Sequence, residues 1–401
     1  MPQFSPMVER VGGEGAAAWD IHYRASRARS AGEDVIVMSV GDPDFATDAG
    51  ICDAAVAALR AGDTHYAEVI GRGELRELIA ARHRERSGQT VTADNVIVLA
   101  GAQNALFACS LCLAGDGDEL ITLEPMYVTY EAALSASGAA LRRVPSRADL
   151  RPDIDAIAAA ITPRTRAIFI ATPNNPSGVT MSRDELAAIA ELAVAHDLWV
   201  VSDEVYADLV FDGQMQHMAS LPGMAERCAT IGSLSKSHAM TGWRLGWTVA
   251  PTELIGHLEN LALCMLYGLP GFVQSAGVHA LGAARDEPAR MREIYRHRRD
   301  LLLAALGDIP GLRCEPPQAG MFLLVDVRAS GLGSGEFARR LYADCGVSVL
   351  DARAFGAATD GYVRISFTDD DARLSEGCRR IADFMRRRPW ADPARPHGAT
   401  R

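Results

Sequence analysis

The sequence predicts an α/β fold: a large domain with a mostly parallel, buried central sheet, joined to a smaller α+β domain. Short apolar runs of strand length alternate with helical patterns from residue 95 to about 250, the signature of a sheet covered on both faces. Past about residue 285 that alternation gives way to one long charged helix and then a mixture of strands and helices. With 401 residues, 48% of them hydrophobic, the chain can fill two cores.

The elements follow in order. An apolar run at 95–100 precedes a helix from about Gln103, and one at 119–123 precedes a helix from about Val128. The run 166–171 leads to a helix over 183–196 and then to a strand at 198–202. Two further strand-like runs lie at 229–232 and 245–250. The second part reads as a helix over 288–306, a strand at 321–327, a helix near 336–344, strands at 347–350 and 362–367, and a last helix from about Asp370. The expected division is a large domain over 46–284 and a small domain built from 11–45 with 285–388. The termini, 1–10 and 389–401, lack periodicity and are expected to be flexible. There are no internal repeats.

Composition excludes several classes. A net charge of −11 argues against a general binder of nucleic acid or anionic membranes. The arginine clusters at 296–299 and 386–388 read as solvated helix faces. No run of about 18 apolar residues would span a bilayer, and the N-terminus lacks the apolar core of a signal peptide. The eight cysteines form no disulfide framework, which points to a reducing cytoplasm. Cys109 and Cys112 stand at i and i+3 of an apolar helix without a second pair, so they read as core residues rather than a metal or redox site. No metal is expected.

Lysine usage is the most informative detail. Lys236 is the one lysine against 39 arginines among the 40 basic side chains. Arginine stays protonated in proteins, whereas a lysine amine can lose its proton and attack a carbonyl carbon. Such a lysine is either a leftover or a nucleophile, and its setting in Ser233-Leu234-Ser235-Lys236-Ser237, just before Gly242-Trp243-Arg244, favours the second. Ligands of open α/β sheets sit at the carboxyl ends of the strands. Gly101-Ala102-Gln103 at one such end is a tight turn or an anion-binding helix start. Residues 172–178 make a rigid loop that would fix an asparagine amide. Asp203 is a helix cap or the partner of a protonated ring nitrogen. Ser233, Ser235 and Arg244 suit a phosphate.

Taken together these residues resemble the class I aminotransferases among fold-type-I pyridoxal-phosphate (PLP) enzymes. The motifs that carry the resemblance span nearly the whole chain. They begin with Ser39-Val40-Gly41-Asp42-Pro43-Asp44-Phe45, Tyr66 with Gly71 and Glu74-Leu75-Arg76, and Gly101-Ala102-Gln103. They continue through Pro125-Met126-Tyr127, Asn174-Asn175-Pro176-Ser177-Gly178, Asp203-Glu204-Val205-Tyr206 and Ser233-Leu234-Ser235-Lys236. The last are Gly242-Trp243-Arg244-Leu245-Gly246 and Val363-Arg364-Ile365-Ser366-Phe367.

The resemblance implies a role for each. Lys236 would form the aldimine with PLP and then shuttle the proton of the substrate. Asp203 would keep the pyridine nitrogen protonated, Tyr206 and Asn175 would bond the ring oxygen, and Tyr127 would stack on the ring. The amides of Ala102 and Gln103 with Ser233, Ser235 and Arg244 would hold the phosphate. Arg364, with Asn175 and Gly41, would grip the substrate carboxylate. Tyr66 would reach the cofactor of a neighbouring subunit, which makes the expected assembly a homodimer with shared sites. Neither Gln103 nor Asn104 is a lysine, unlike some aspartate-specific relatives, which counts against a dicarboxylate substrate.

The runs 15–25, 124–132 and 261–268 are similar to bacterial arginine–pyruvate transaminases. That implies a ping-pong exchange from a basic amino acid, L-arginine, to pyruvate as the 2-oxo acid. Trp19, Asp20 and Glu68 would then receive the guanidinium, unless the two carboxylates are simple surface groups. An aspartate, aromatic or branched-chain aminotransferase, or a carbon–sulfur lyase, shares the same cofactor motifs. A PLP-sensing regulator would need an appended DNA-binding domain, whereas the resemblance begins by about residue 17 and the chain is acidic.

Overall fold

Strand ends set the site, so the order of the strands matters most. The computed structural model describes residues 3–12 and 19–387. Its main sheet has seven strands: β2 (Val96–Leu99), β3 (Glu119–Leu123), β4 (Ala140–Val144), β5 (Thr165–Ala171), β6 (Trp199–Asp203), β7 (Cys228–Ser233) and β8 (Gly246–Val249), in the order β2-β8-β7-β6-β5-β3-β4. The neighbours from β7 across to β4 run parallel, while β8 is antiparallel to both β2 and β7. Helix Arg183–Ala195 makes the crossover from β5 to β6; Ser182 caps it in a reciprocal capping box with Glu185. The strands carry almost unbroken apolar runs because helices cover both faces. One core packs Ile97, Leu99, Phe169 and Val201 under helix Ala102–Leu113, and the other packs Ile168, Ile170 and Val200 under helix Arg183–Ala195.

Parallel pairing aligns the ends of β5 and β6, with Ala171 beside Asp203, and brings Asp203 next to Ile231 of β7. Three loops that leave the sheet at one edge therefore converge.

The second region is an antiparallel sheet of β12 (Leu350–Asp351), β13 (Tyr362–Ser366), β10 (Phe322–Asp326) and β9 (Arg313–Cys314), with helices Glu287–Gly307, Ser334–Cys345 and Asp371–Arg386 packed on it. The N-terminal segment joins it: β1 (Ile36–Val37) pairs in parallel with β11 (Val347–Ser348), and Ile36 and Met38 enter the same core as Phe337 and Phe384.

Four sequence expectations need correction. Residues 1–10 are not uniformly loose: Pro6–Arg10 is a helix capped by Ser5, and Arg10 Nε donates to the Ser135 carbonyl at 3.1 Å. The 389–401 tail lies outside the described residues. The cluster at 296–299 is only half a solvated face: Arg296 and His297 are exposed. Arg298 and Arg299 are buried, Arg298 paired with Asp44 at 2.8 Å and Asp371 at 3.3 Å, and Arg299 with Asp212 and Asp300. Such pairing offsets the cost of burying a guanidinium. The expected strand at 347–350 is two short strands in different sheets, because the chain passes from β1 to β13 around Val349. Finally, β4 went unpredicted. It is an edge strand whose Arg142 and Arg143 pair with Glu119 and Glu124, and edge strands tolerate charges that hide a strand pattern. Cys109 is fully buried in its helix as expected, and burial pushes its thiol up to about 12.

Candidate active site

Every expected site residue except Tyr66, Asp20 and Glu68 lines one cavity of about 390 Å³ at the convergent strand ends. Its floor is Asp203, the last residue of β6. The carboxylate is almost wholly buried, and its Oδ2 accepts a hydrogen bond from the Tyr130 hydroxyl at 2.6 Å while Oδ1 accepts from the Val205 amide at 3.2 Å. Burial pushes the carboxyl up to about 6, against the opposing pull of those two donors. A carboxylate so placed wants a cation above it. Tyr206 and Asn175, from the loops after β6 and β5, flank the same space, with Asn175 Nδ2 donating to the Tyr206 hydroxyl at 3.4 Å.

Lys236 rises from a short helix, Leu234–Ser237, directly after β7. Its Nζ donates to the Gly41 carbonyl at 2.7 Å. Burial lowers the ammonium to about 8, helped by repulsion from Arg364 and Arg244 and opposed by Asp42. An amine in that range is partly neutral near physiological pH, which is what a nucleophile or proton carrier needs.

Opposite the floor is an anion cradle. Helix Ala102–Leu113 starts at Gly101, whose φ of +84° suits glycine and where a Cβ would strike the Arg244 guanidinium. A Cβ on Gly246 would lie 2.7 Å from the Ala102 nitrogen, so glycines are what allow strand and helix start to approach. The first amides of that helix have no acceptor within it. The hydroxyls of Ser233 and Ser235 sit 2.9 Å apart beside them, and Arg244, held by the Thr241 carbonyl at 2.8 Å, completes the cradle.

Arg364, on β13 of the smaller sheet, closes the far wall and is 1% exposed. Nη1 donates to Asn175 Oδ1 at 3.0 Å and Nη2 to the Ser39 carbonyl at 2.9 Å, while Nε has no partner among the described residues. Phe322 and Phe355 stack at 4.3 and 5.1 Å from its Cζ. Burial lowers it to about 10, still a cation. A buried guanidinium with no carboxylate of its own is a ready receptor for a substrate carboxylate.

The cavity thus offers an anion cradle at one end, a buried carboxylate under its floor, aromatic Tyr127 on its wall and a partly neutral amine between. That donor set fits a phosphorylated pyridine aldehyde: the helix start would take the phosphate, Asp203 the ring nitrogen and Lys236 the aldehyde.

Sequence reasoning missed Tyr130, Asp42 and Phe322 on this wall. Tyr130 was legible only as a helix residue three past Tyr127. The three expected residues off the wall are all exposed in the chain: Tyr66 is 83% exposed, with its ring 4.6 Å from that of Tyr267, and Asp20 and Glu68 face solvent.

Comparisons with known proteins agree with this geometry. The family model "Aminotransferase class I and II" matches residues 33–381. The chain is 54% identical over 382 residues to arginine–pyruvate transaminase AruH of Pseudomonas aeruginosa, covering 95% of this chain and 97% of that one. It is 33% identical to an aspartate aminotransferase of Pyrococcus horikoshii, over 87% of this chain and 90% of that protein. Among solved structures, Thermus thermophilus aspartate aminotransferase with maleate superposes with a TM-score of 0.90 at 32% identity, covering 96% of this chain and 100% of that one. The chain belongs to the class I and II aminotransferases, enzymes whose cofactor is pyridoxal 5′-phosphate.

Proposed function

We propose that this aminotransferase takes its amino group from L-arginine and gives it to pyruvate, yielding 5-guanidino-2-oxopentanoate and alanine. The observation that carries this reading is the 54% identity, over nearly the full length of both chains, to a transaminase named for that reaction. The cavity suits it: its one lysine is Lys236, so no second ammonium stands ready for a distal carboxylate.

PLP, when bound, supplies the electron sink that stabilises the developing carbanion. The chain's own residues do the rest. Lys236 carries the cofactor and moves the proton at the substrate Cα. Asp203 keeps the ring nitrogen protonated, with Tyr130 orienting its carboxylate. Tyr206 and Asn175 bond the ring oxygen, and Tyr127 packs on the ring. Ala102, Gln103, Ser233, Ser235 and Arg244 hold the phosphate. Arg364 orients the substrate carboxylate, fixed in turn by Asn175 and by the 39–41 segment.

The reading extends to assembly. We place the enzyme in the cytoplasm as a homodimer in which exposed Tyr66 reaches the partner's cofactor phosphate. Among the described residues no helix is long and apolar enough to cross a membrane. We also divide the chain into a large domain over 46–284 and a small one over 11–45 and 285–388. The pairing of β1 with β11 supports that division.

A half-reaction panel tests the donor. The yellow enzyme is mixed with single amino acids and loss of cofactor absorbance is followed. Arginine should react fastest; aspartate or phenylalanine ahead of arginine would overturn the donor while leaving the family intact. Mixing Tyr66→Phe with Lys236→Ala subunits tests the shared site, since only a mixed dimer would hold one intact site.

A further inference from the structure

We propose that Asp42, with Trp19, forms the subsite that reads the distal guanidinium of the amino donor. The inference rests on the arginine reading above and deepens it. Two carboxylates line the cavity, Asp203 and Asp42. Asp203 is committed to Tyr130 and faces the ring position. Asp42 makes no hydrogen bond or ion pair among the described residues and is solvent-exposed at the cavity wall.

Its position is fixed by its neighbours. Gly41 precedes it, under Phe322, whose ring a Cβ at 41 would strike, and the Gly41 carbonyl accepts from Lys236. Pro43 follows and narrows the backbone of Asp42. The field of the carboxylate reaches the reacting amine and the His22 ring, and favours the cationic form of both.

Charge balance singles out Asp42. Lys236, Arg244 and Arg364 all line the cavity, but on the reading above the phosphate answers Arg244 and the substrate carboxylate answers Arg364. Asp42 is then the lining carboxylate left to answer a distal guanidinium. Trp19 shares the wall, its ring 6.0 Å from the Arg364 Cζ. A donor held by Arg364 at its carboxylate, with its Cα beside Lys236, leaves its side chain to run toward the mouth. There it finds a carboxylate for charge-assisted hydrogen bonds and an indole for cation–π contact. Pyruvate ends in a methyl group, so Asp42 simply keeps its water. Asp20 and Glu68 are exposed and do not line this chain's cavity.

The test measures kcat/KM for arginine and for alanine in wild type and in Asp42→Asn, Asp42→Glu, Asp20→Asn and Glu68→Gln. The arginine-to-alanine ratio should fall about tenfold or more in Asp42→Asn, the worth of one charge-assisted bond, and recover in Asp42→Glu. Three results overturn the subsite: an unchanged ratio in Asp42→Asn, an equal fall for both donors, which would mean that Asp42 acts through Lys236, or a ratio that moves in Glu68→Gln or Asp20→Asn instead. Wild-type turnover of arginine tests the donor reading separately. Its absence overturns both, whereas its presence with an unchanged ratio overturns the subsite alone.

Discussion

The floor of the cavity and its rim are built on opposite principles. On the floor, Asp203, Tyr206, Asn175 and Ser233 are each under a tenth exposed and already joined in hydrogen bonds. At the rim, Asp42 faces solvent, as do Asp20, Tyr66 and Glu68, which do not line the cavity. Burial holds Asp203 near 6, Lys236 near 8 and Arg364 near 10, each displaced toward its neutral form. Strand ends locked in a core can sustain such displacement, because the sheet leaves no room to relax. Exposed rim groups cannot, and on the proposed reading they discriminate by charge and reach instead. The comparison puts the proposed chemistry on the floor and the proposed donor subsite at the rim.

The strongest way to break the comparison is at Lys236. Lys236→Arg should lower turnover by at least about 10⁴-fold, the scale on which a group acting in every step is lost. Borohydride should trap PLP on the peptide containing Lys236 in wild type and nowhere in the variant. Retained turnover would show that the amine is dispensable.

Next is the charge under the ring. Asp203→Asn keeps the shape and removes the charge, and should lower kcat by about 10²- to 10³-fold. Near-wild-type kcat would remove Asp203 from the reaction. The same change has a second, opposite effect in the cofactor-free protein. The folded state keeps the Asp203 proton up to about pH 6, while an unfolded aspartate releases it near 3.8. The folded state therefore binds more protons between those values, and stability falls as pH rises through them. Above pH 6 the buried charge costs about 3 kcal/mol. Asp203→Asn should thus raise the urea stability of the cofactor-free protein at pH 8 by up to that amount, and the gain should vanish near pH 4. A destabilised variant at pH 8 would show that the floor stores no such cost.

Tyr130→Phe is a smaller change on the same floor. It removes the 2.6 Å bond to Asp203 and should lower kcat by about 10- to 150-fold. Because that bond lowers the Asp203 pKa, its loss should move the Asp203 titration, followed by infrared carboxyl absorption, to higher pH. An unmoved titration would make Tyr130 mere packing. The smallest effect is expected beyond the rim: Asp20→Asn should change folding stability by less than about 0.5 kcal/mol in a denaturant melt, since its exposed side chain lies on the outer surface of helix Asp20–Ser30.

Much of this was legible in the chain alone. Strands β3, β5 and β6 stand within a residue or two of their expected bounds, because strands buried on both faces must be apolar and strand-length. The floor was legible because its chemistry leaves few options: one deprotonatable cation in Lys236, two hydroxyls and an arginine for an anion, and a carboxylate at a strand end. The edge strand β4 was not, since Arg142 and Arg143 find their partners on other segments. Nor were the buried Arg298 and Arg299, whose partners Asp44, Asp371 and Asp212 are distant in sequence.

The sequence by itself determined the reaction type, through the motifs it shares with the family, and the alternation that builds the sheet, and it singled out Lys236 as the candidate amine, because these depend on residue identity and local period. Only the tertiary structure decided that Tyr130 holds Asp203, that Arg364 is fully buried beside Phe322 and Phe355 with its Nε unpartnered among the described residues, and that Asp42 rather than Asp20 or Glu68 stands on the cavity wall. Those facts depend on which distant side chains meet when the two sheets pack together. Contacts of that kind are fixed by packing geometry in three dimensions, and no local pattern along the chain encodes them.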